Sequence, residues 1–587
     1  MRKAMIKLFF SLTLLITGCS NASSSSSSSS STQDQSSSTV SSINTSELFS
    51  NRDLEWDYDE SESVSIELLG DTIACSSNAV QISGTTGTIT EEGTYILSGT
   101  LNDGMIIVNV DKNEKVQIVL NNVTIHHSTS SPIYIAQADK VFLTLAEDSI
   151  NTLTNGGTFT AFNDDAIDAI IFSKEDLTIN GLGTLSIQSP GGHGIVSKDE
   201  LVLTGGTYEI LALSHGITGK DDVCLTNVTM EITSEKDGIH AENNDDTTLG
   251  FVYIQSGVYT IDSGGDGISA STSLQVDGGT FDITTGDASL ETTSQTNTTY
   301  GDVLISQETN DSSQPTVVSL ATGTSESDTS MKALKATGNL VIQGGVFQLE
   351  STDDAVHSNA NMFIHGGDFE IVTGDDGFHA DDTLTITSGT IDIQACYEGI
   401  EALHVYVQGG DILLEASDDG LNAAGGADQS GFGGPRGNDR FQPSSGDGSI
   451  EISGGNLHIT AYGDGIDANG TLLISGGTTV VVGPTYGDTA TLDYDVSGTI
   501  TGGTFIGTGA FGMAQTFSQA TQGVLAVSVG NQAAGTLITL VSDSDETIFS
   551  YSPELPYAVV ILSSPNLMEG ESYTLSVGSI SKQFTIS

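Results

Sequence analysis

Cations are scarce in this sequence: 16 Lys and Arg stand against 76 Asp and Glu in 587 residues, a formal net charge of −60. Such a chain repels a phosphate backbone, which excludes nucleic acid as a partner. It also repels itself unless cations gather on its surface. Aromatic residues are few as well, at 6% of the chain, and the one tryptophan, Trp56, lies outside the repeats described below. That argues against a flat stacking platform for crystalline cellulose. Beyond Cys19 the cysteines are Cys75, Cys224 and Cys396, an odd number at different repeat positions. No disulfide framework or zinc pattern fits them, and they read as isolated core or surface residues. The apolar run from Leu8 to Ile16 is too short to span a bilayer.

What the chain does have is repetition. From Met331 it reads MKALKATGNLVIQGGVFQLES, TDDAVHSNANMFIHGGDFEIV, TGDDGFHADDTLTITSGTIDIQA, CYEGIEALHVYVQGGDILLEA and SDDGLNAA. Aligned on Leu334, Val356, Phe378, Ile400 and Leu421, the steps are 22, 22, 22 and 21 residues. Within one unit apolar or small residues alternate at 378 and 380, 384 and 386, and 391 and 393, which predicts three short strands. Three strands and three turns per 22 residues describe one coil of a right-handed parallel β-helix, whose rungs bury their inward residues by stacking. Gly-Gly pairs beginning at 344, 366 and 409 supply a positive-φ corner. A leucine-rich repeat needs a return stretch with regularly spaced Leu and Asn, which is absent.

The anchors continue in both directions as Ile167, Ile195, Ile217, Ile239, Ile268, then Leu334 to Leu421, then Ile466. Longer steps place insertions after Ile239 and Leu421 at the corner between the first and second strands. Another, 287–330, leaves a different corner and reads as a surface loop. The expected organisation is a signal peptide over 1–18, a lipidated Cys19 and Ser-rich tether over 19–50, and a β-rich cap with irregular rungs over 51–160. The β-helix follows over 161–505, with insertions 287–330 and 424–447, and a small β cap over 506–587. Arg2, Lys3 and Lys7 precede the apolar run, and Leu15-Ile16-Thr17-Gly18-Cys19 resembles a bacterial lipobox. An ordinary secretory signal with an incidental Cys is the alternative. A flexible tether of about thirty residues reaches roughly 30 Å r.m.s.. The expected location is therefore the extracellular face of a bacterial membrane, held by lipid on Cys19.

An acidic cluster precedes each anchor: Asp164-Asp165, Asp237, Asp266, Asp353-Asp354, Asp375-Asp376, Glu398, Asp418-Asp419 and Asp464. On adjacent rungs these stand about 4.8 Å apart. At that spacing like charges repel by about 0.9 kcal/mol in water and roughly 3.5 kcal/mol at an effective dielectric of about 20. Calcium, with six to eight oxygen ligands, turns the repulsion into cross-linking. The plainer reading is that Asp-Gly makes a good turn and the charges stay solvated. One residue past the anchors stand Asp168, His240, Lys335, His357, His379, Glu401, Asn422 and Asp467, expected to point outward as a ligand-binding face. A histidine ladder there also suits a transition metal. Tyr397, Tyr462 and Phe432 are sugar-contact candidates. Lys332 interrupts the acid column, either as a structural counter-ion or, with Lys335, as the base of a β-elimination.

GTYILSGTLNDGMIIVNV, VQIVLNNVTI and ADKVFLTLAEDSINTLTNG at the front, with STDDAVHSN, TGDDGFHADDTLTITSGTIDI and YEGIEAL in the middle, resemble the bacterial surface carbohydrate-binding β-helix lipoproteins. The resemblance covers about Gly93 to Asp464. It implies a pectate-lyase-like fold, bound calcium, and attachment to plant cell-wall polysaccharides such as polygalacturonate, with no cleavage implied. The chain is expected to act as a monomer. A calcium-assisted polysaccharide lyase and a non-catalytic adhesin or spacer are the other two readings.

Overall fold

The computed structural model describes residues 43–162, 165–286, 330–424 and 446–586. Cys19, the signal segment, most of the tether, Asp164, Phe432 and nearly all of insertions 287–330 and 424–447 lie outside them. The described residues are all-β apart from a 3-10 turn at Thr45–Glu47 and one helical turn at Asn51–Leu54. No helix among the described residues is long and apolar enough to cross a membrane.

Alternating sequence makes each strand one-sided. Val228–Ser234, VTMEITS, buries every other residue, so Val228, Met230 and Ile232 point into the core while Thr229, Glu231 and Thr233 face out. From Ile150 to Ser358 each such strand hydrogen-bonds in parallel with the third strand before and after it in the chain, and where two columns share one continuous strand, as in Phe378–Ile386, the partner is the second instead. The result is three columns of strands, visited in turn. In the first column Ile195, Ile217, Ile239, Ile268, Leu334, Val356, Phe378, Ile400, Leu421 and Ile466 stand in one register. One continuous apolar core runs from Ile66 to Ile561 between the columns. On the third column Tyr259, Phe281, Phe347 and Phe369 stack with ring centroids 4.9, 4.8 and 4.5 Å apart.

The register departs from the sequence reading at its start. Ile171, rather than Ile167, pairs with Ile195. Ile167 packs outside the core with Phe159 and Phe162 against Tyr134 and Phe172, and Phe162 and Asp165 form an isolated backbone bridge. Phe159 and Phe162 thus hold Ile167 on the outer face of the column, where a pattern of spacing alone treats it as a rung anchor.

Between the second and third columns the second glycine of each pair takes the left-handed turn, with φ of 131° at Gly345, 113° at Gly367 and 99° at Gly410. At the far end, Tyr557–Ser564 pairs antiparallel with Thr504–Gly509 and so covers the last third-column strand. Beyond it a four-stranded antiparallel sheet forms over its own small core. Cys75, Cys224 and Cys396 are free, the latter two buried.

Candidate functional site

The corner leading from the third column to the first carries the polar column. Two residues before each anchor stand His193, His215, Asp237, Asp266, Lys332, Asp354, Asp376, Glu398, Asp419 and Asp464, followed by Gly or Ala in every rung. The small residue is a packing requirement, because a Cβ on Gly399 would sit 2.4 Å from the Gly420 carbonyl oxygen of the next rung.

The acids form a ladder. One carboxylate oxygen of each aspartate accepts the backbone N–H at the same position one rung on: Asp237 from Asp266 at 2.9 Å, Asp266 from Lys332 at 2.9 Å, Asp354 from Asp376 at 3.1 Å, Asp376 from Glu398 at 3.3 Å. Asp419 accepts likewise from Asp464 at 2.5 Å, and Asp464 from Ala490. Half of each of these aspartate carboxylates is thus committed to holding rungs together, and in Asp237, Asp266, Asp354 and Asp376 the other oxygen is turned to a neighbouring His or Lys.

Those neighbours differ along the column. Lys332 is buried and places its Nζ 2.8 Å from both Asp353 Oδ1 and Asp354 Oδ2. Burial alone lowers a lysine, but the two carboxylates prevail and hold Lys332 above its usual range. Lys332 and His357 in turn outweigh burial at Asp354 and hold its carboxyl well below the usual range, while burial and Asp354 push Asp353 up. Lys332 is therefore a protonated counter-ion, the opposite of what a general base requires. Lys335 lies 3.3 Å from Asp266.

The face one residue past the anchors is enclosed, contrary to the sequence expectation. His357 and His379 expose only 2% and 1% of their surface, Asn422 is buried, and His240 and Glu401 are half-buried. His357 Nδ1 lies 2.7 Å from Asp354 and stacks on His379 at 4.9 Å. His240 Nδ1 lies 2.6 Å from Asp237, which also faces His215 Nδ1 at 3.4 Å. These side chains leave the apolar core, as alternation requires, but enter a buried polar network rather than water. Asp165 does not join the column; Tyr134 and Lys174 bind it instead, the latter at 2.8 Å.

In each of five groups the donor atoms lie within 4.8 Å of one another: His215, Asp237 and His240; Asp353, Asp354 and Asp375; Asp354, His357 and His379; Asp376, His379 and Glu401; and Asp419, Asp464 and Asp467. The second and the last are all-oxygen sets, and Asp353 and Asp354 of the second already hold the Lys332 ammonium. Burial, then Asp464 and Asp418, push Asp419 well above the usual carboxylate range, and Asp467 is pushed up to about 7 by burial and its acidic neighbours. Asn422, paired in register with Asp467, donates its amide to Glu398 at 2.7 Å, and its buried amide oxygen has no hydrogen-bond partner. Carboxylates joined by an orphaned amide oxygen suit calcium. The sequence pattern places Asp467 on the outward face one residue past its anchor instead of in the acid column, because it sits on the strand and not on the turn.

The same corner carries tyrosines. Tyr397 donates to Asp418 at 2.6 Å, Tyr462 is half-buried, and Tyr486 is 65% exposed. Tyr486 and Phe511, 66% exposed, lie on loops whose Gly487 and Gly512 backbones touch. The Ala490 N–H that bonds Asp464 lies four residues on from Tyr486, so the loop that carries Tyr486 is tied to the oxygen cluster. The repeated Tyr-Gly-Asp of 462–464 and 486–488 was the signal for Tyr486. A separate open groove of about 630 Å³ follows the glycine corner past Asp368, Thr390, Asp411 and Asn456, with no aromatic residue in its lining.

A profile described as "Carbohydrate-binding domain-containing protein" matches residues 83–377 and 375–503. A protein of Acetivibrio thermocellus with the same description is 40% identical over 200 residues, which cover 34% of this chain and 70% of that protein. The solved "Structure of the polysaccharide lyase-like protein from C. thermocellum, Gadolinium derivative" is 30% identical, with a TM-score of 0.37, over 38% of this chain and 92% of that one.

Proposed function

The chain belongs to the family of carbohydrate-binding domain-containing proteins, and from that premise we propose that it is a calcium-dependent polysaccharide-binding protein of the cell surface. In this reading its strands wind as a right-handed parallel β-helix tethered by lipid on Cys19, and its ligands are acidic plant cell-wall glycans such as polygalacturonate. The observation that carries the proposal is an all-oxygen cluster bonded to a loop that carries an exposed aromatic ring. Asp419, Asp464, Asp467 and the Asn422 amide oxygen would hold calcium. Tyr486, on the loop bonded to Asp464, and Phe511, on the loop that touches it, offer apolar faces for sugar rings. A uronate could approach so acidic a surface only across a bridging cation. The protonated state of Lys332 speaks against the lyase reading.

Pull-down on polygalacturonate and on neutral glycans, with calcium or with chelator, tests this. Binding is expected in calcium and lost in chelator, and Tyr486→Ala should weaken it about tenfold, equivalent to about 1.4 kcal/mol. Thr390→Trp, which fills the glycine groove, should leave it unchanged. Binding indifferent to chelator would remove calcium from the reading. Binding lost only in Thr390→Trp would move the glycan to the groove, and no binding to any glycan would favour the adhesin or spacer.

A further inference from the structure

The rung between Lys332 and the oxygen cluster contains a different donor set. Asp376 Oδ2 and Glu401 Oε2 converge on the same ring nitrogen, His379 Nδ1, at 3.1 and 3.0 Å. One nitrogen carries at most one hydrogen, so it satisfies at most one of the two carboxylates. On the other side of the ring, His379 Nε2 lies 3.4 Å from Asp381 Oδ1, and neither of these buried atoms has a hydrogen-bond partner. The equivalent oxygen one rung earlier, Asp354 Oδ2, meets the Lys332 ammonium at 2.8 Å. Here no lysine is supplied.

We propose that Asp376, His379 and Glu401 form a binding site for a divalent transition metal of the zinc class, chemically distinct from the calcium cluster. Ligands about 2.1 Å from a tetrahedral ion stand roughly 3.4 Å apart, so small shifts from the observed separations suffice. An imidazole with two carboxylates prefers zinc-class ions to calcium. Asp381 then takes the place of the carboxylate that commonly orients a metal-bound histidine through its far nitrogen. Burial and the neighbouring acids push Asp376 well above the usual carboxylate range, a tension that a dication in the site relieves. The group of His215, Asp237 and His240 is the weaker candidate, because the Asp237 backbone N–H already occupies His215 Nδ1 at 3.2 Å.

The full chain, stripped of metal and titrated with Co2+, tests the assignment. Visible d–d absorption is expected to develop with one equivalent, to be displaced by Zn2+, and to persist in excess Ca2+. His379→Gln and Glu401→Gln should each abolish it. Asp381→Asn should weaken Co2+ affinity about 10- to 100-fold while leaving calcium-dependent glycan binding intact. Glu401 is half-buried, so its amide variant serves where His379→Gln fails to fold. Absence of the absorption, or its persistence in a folded Glu401→Gln protein, would overturn the site and leave His379 as a buried imidazolium shared by three acids. Because glycan binding is read separately, failure here is distinguishable from failure of the calcium reading.

Discussion

Lys332 shows how one residue sets the character of the polar column. Its ammonium sits between two buried carboxylates, and removing one partner of a buried pair leaves charge without compensation. Lys332→Met is expected to cost about 3–5 kcal/mol in denaturant unfolding, whereas Lys335→Met, nearer the surface, should cost no more than about 1 kcal/mol. Equal losses would show that Lys332 carries no special burden. Its place in the column was legible as a basic residue in an acidic register. The burial of His357 and His379 was not, because alternation states which side of a strand a residue takes but not what packs over that side.

The element that repeats is the turn of an acid, a small residue and an apolar anchor. The acid bonds the next rung's N–H, the small residue lets the backbones approach, and the anchor enters the core. Gly399→Ala drives a Cβ to 2.4 Å from the Gly420 carbonyl oxygen and should cost about 1–3 kcal/mol. Gly278→Ala, whose nearest neighbour lies 3.6 Å away, should stay within about 0.5 kcal/mol. Thermal unfolding of both variants checks the contrast; similar values would mean that the rungs part easily. The turn was legible from its period. Its hydrogen-bond ladder was not, because Asp-Gly also makes a good solvated turn.

At the scale of the molecule the formal charge of −60 makes stability depend on pH. Burial pushes Asp222 up to about 8, and burial with a hydrogen bond donated to Asp221 pushes Asp199 up to about 7. Between the ordinary carboxylate value and these, the folded protein holds protons that the unfolded chain has released. The stability they contribute is full at acid pH and is lost as pH rises through about 7 to 8. Denaturant midpoints should therefore fall over that window, and Asp222→Asn should flatten the upper part of the fall. A midpoint that rises there would contradict the burial assigned to these groups.

The sequence by itself determined the parallel strands, their register from Ile195 onward and the corners from which the insertions leave, because each follows from a period of about 22 and the two-residue alternation of a strand. Only the tertiary structure decided that Ile171 opens the register, that the acids brace successive rungs, that the histidines are enclosed, and that Asp467 joins an oxygen cluster to which the Tyr486 loop is bonded. Those facts depend on what lies over a surface and which half of a carboxylate is already taken, and a one-dimensional pattern carries neither.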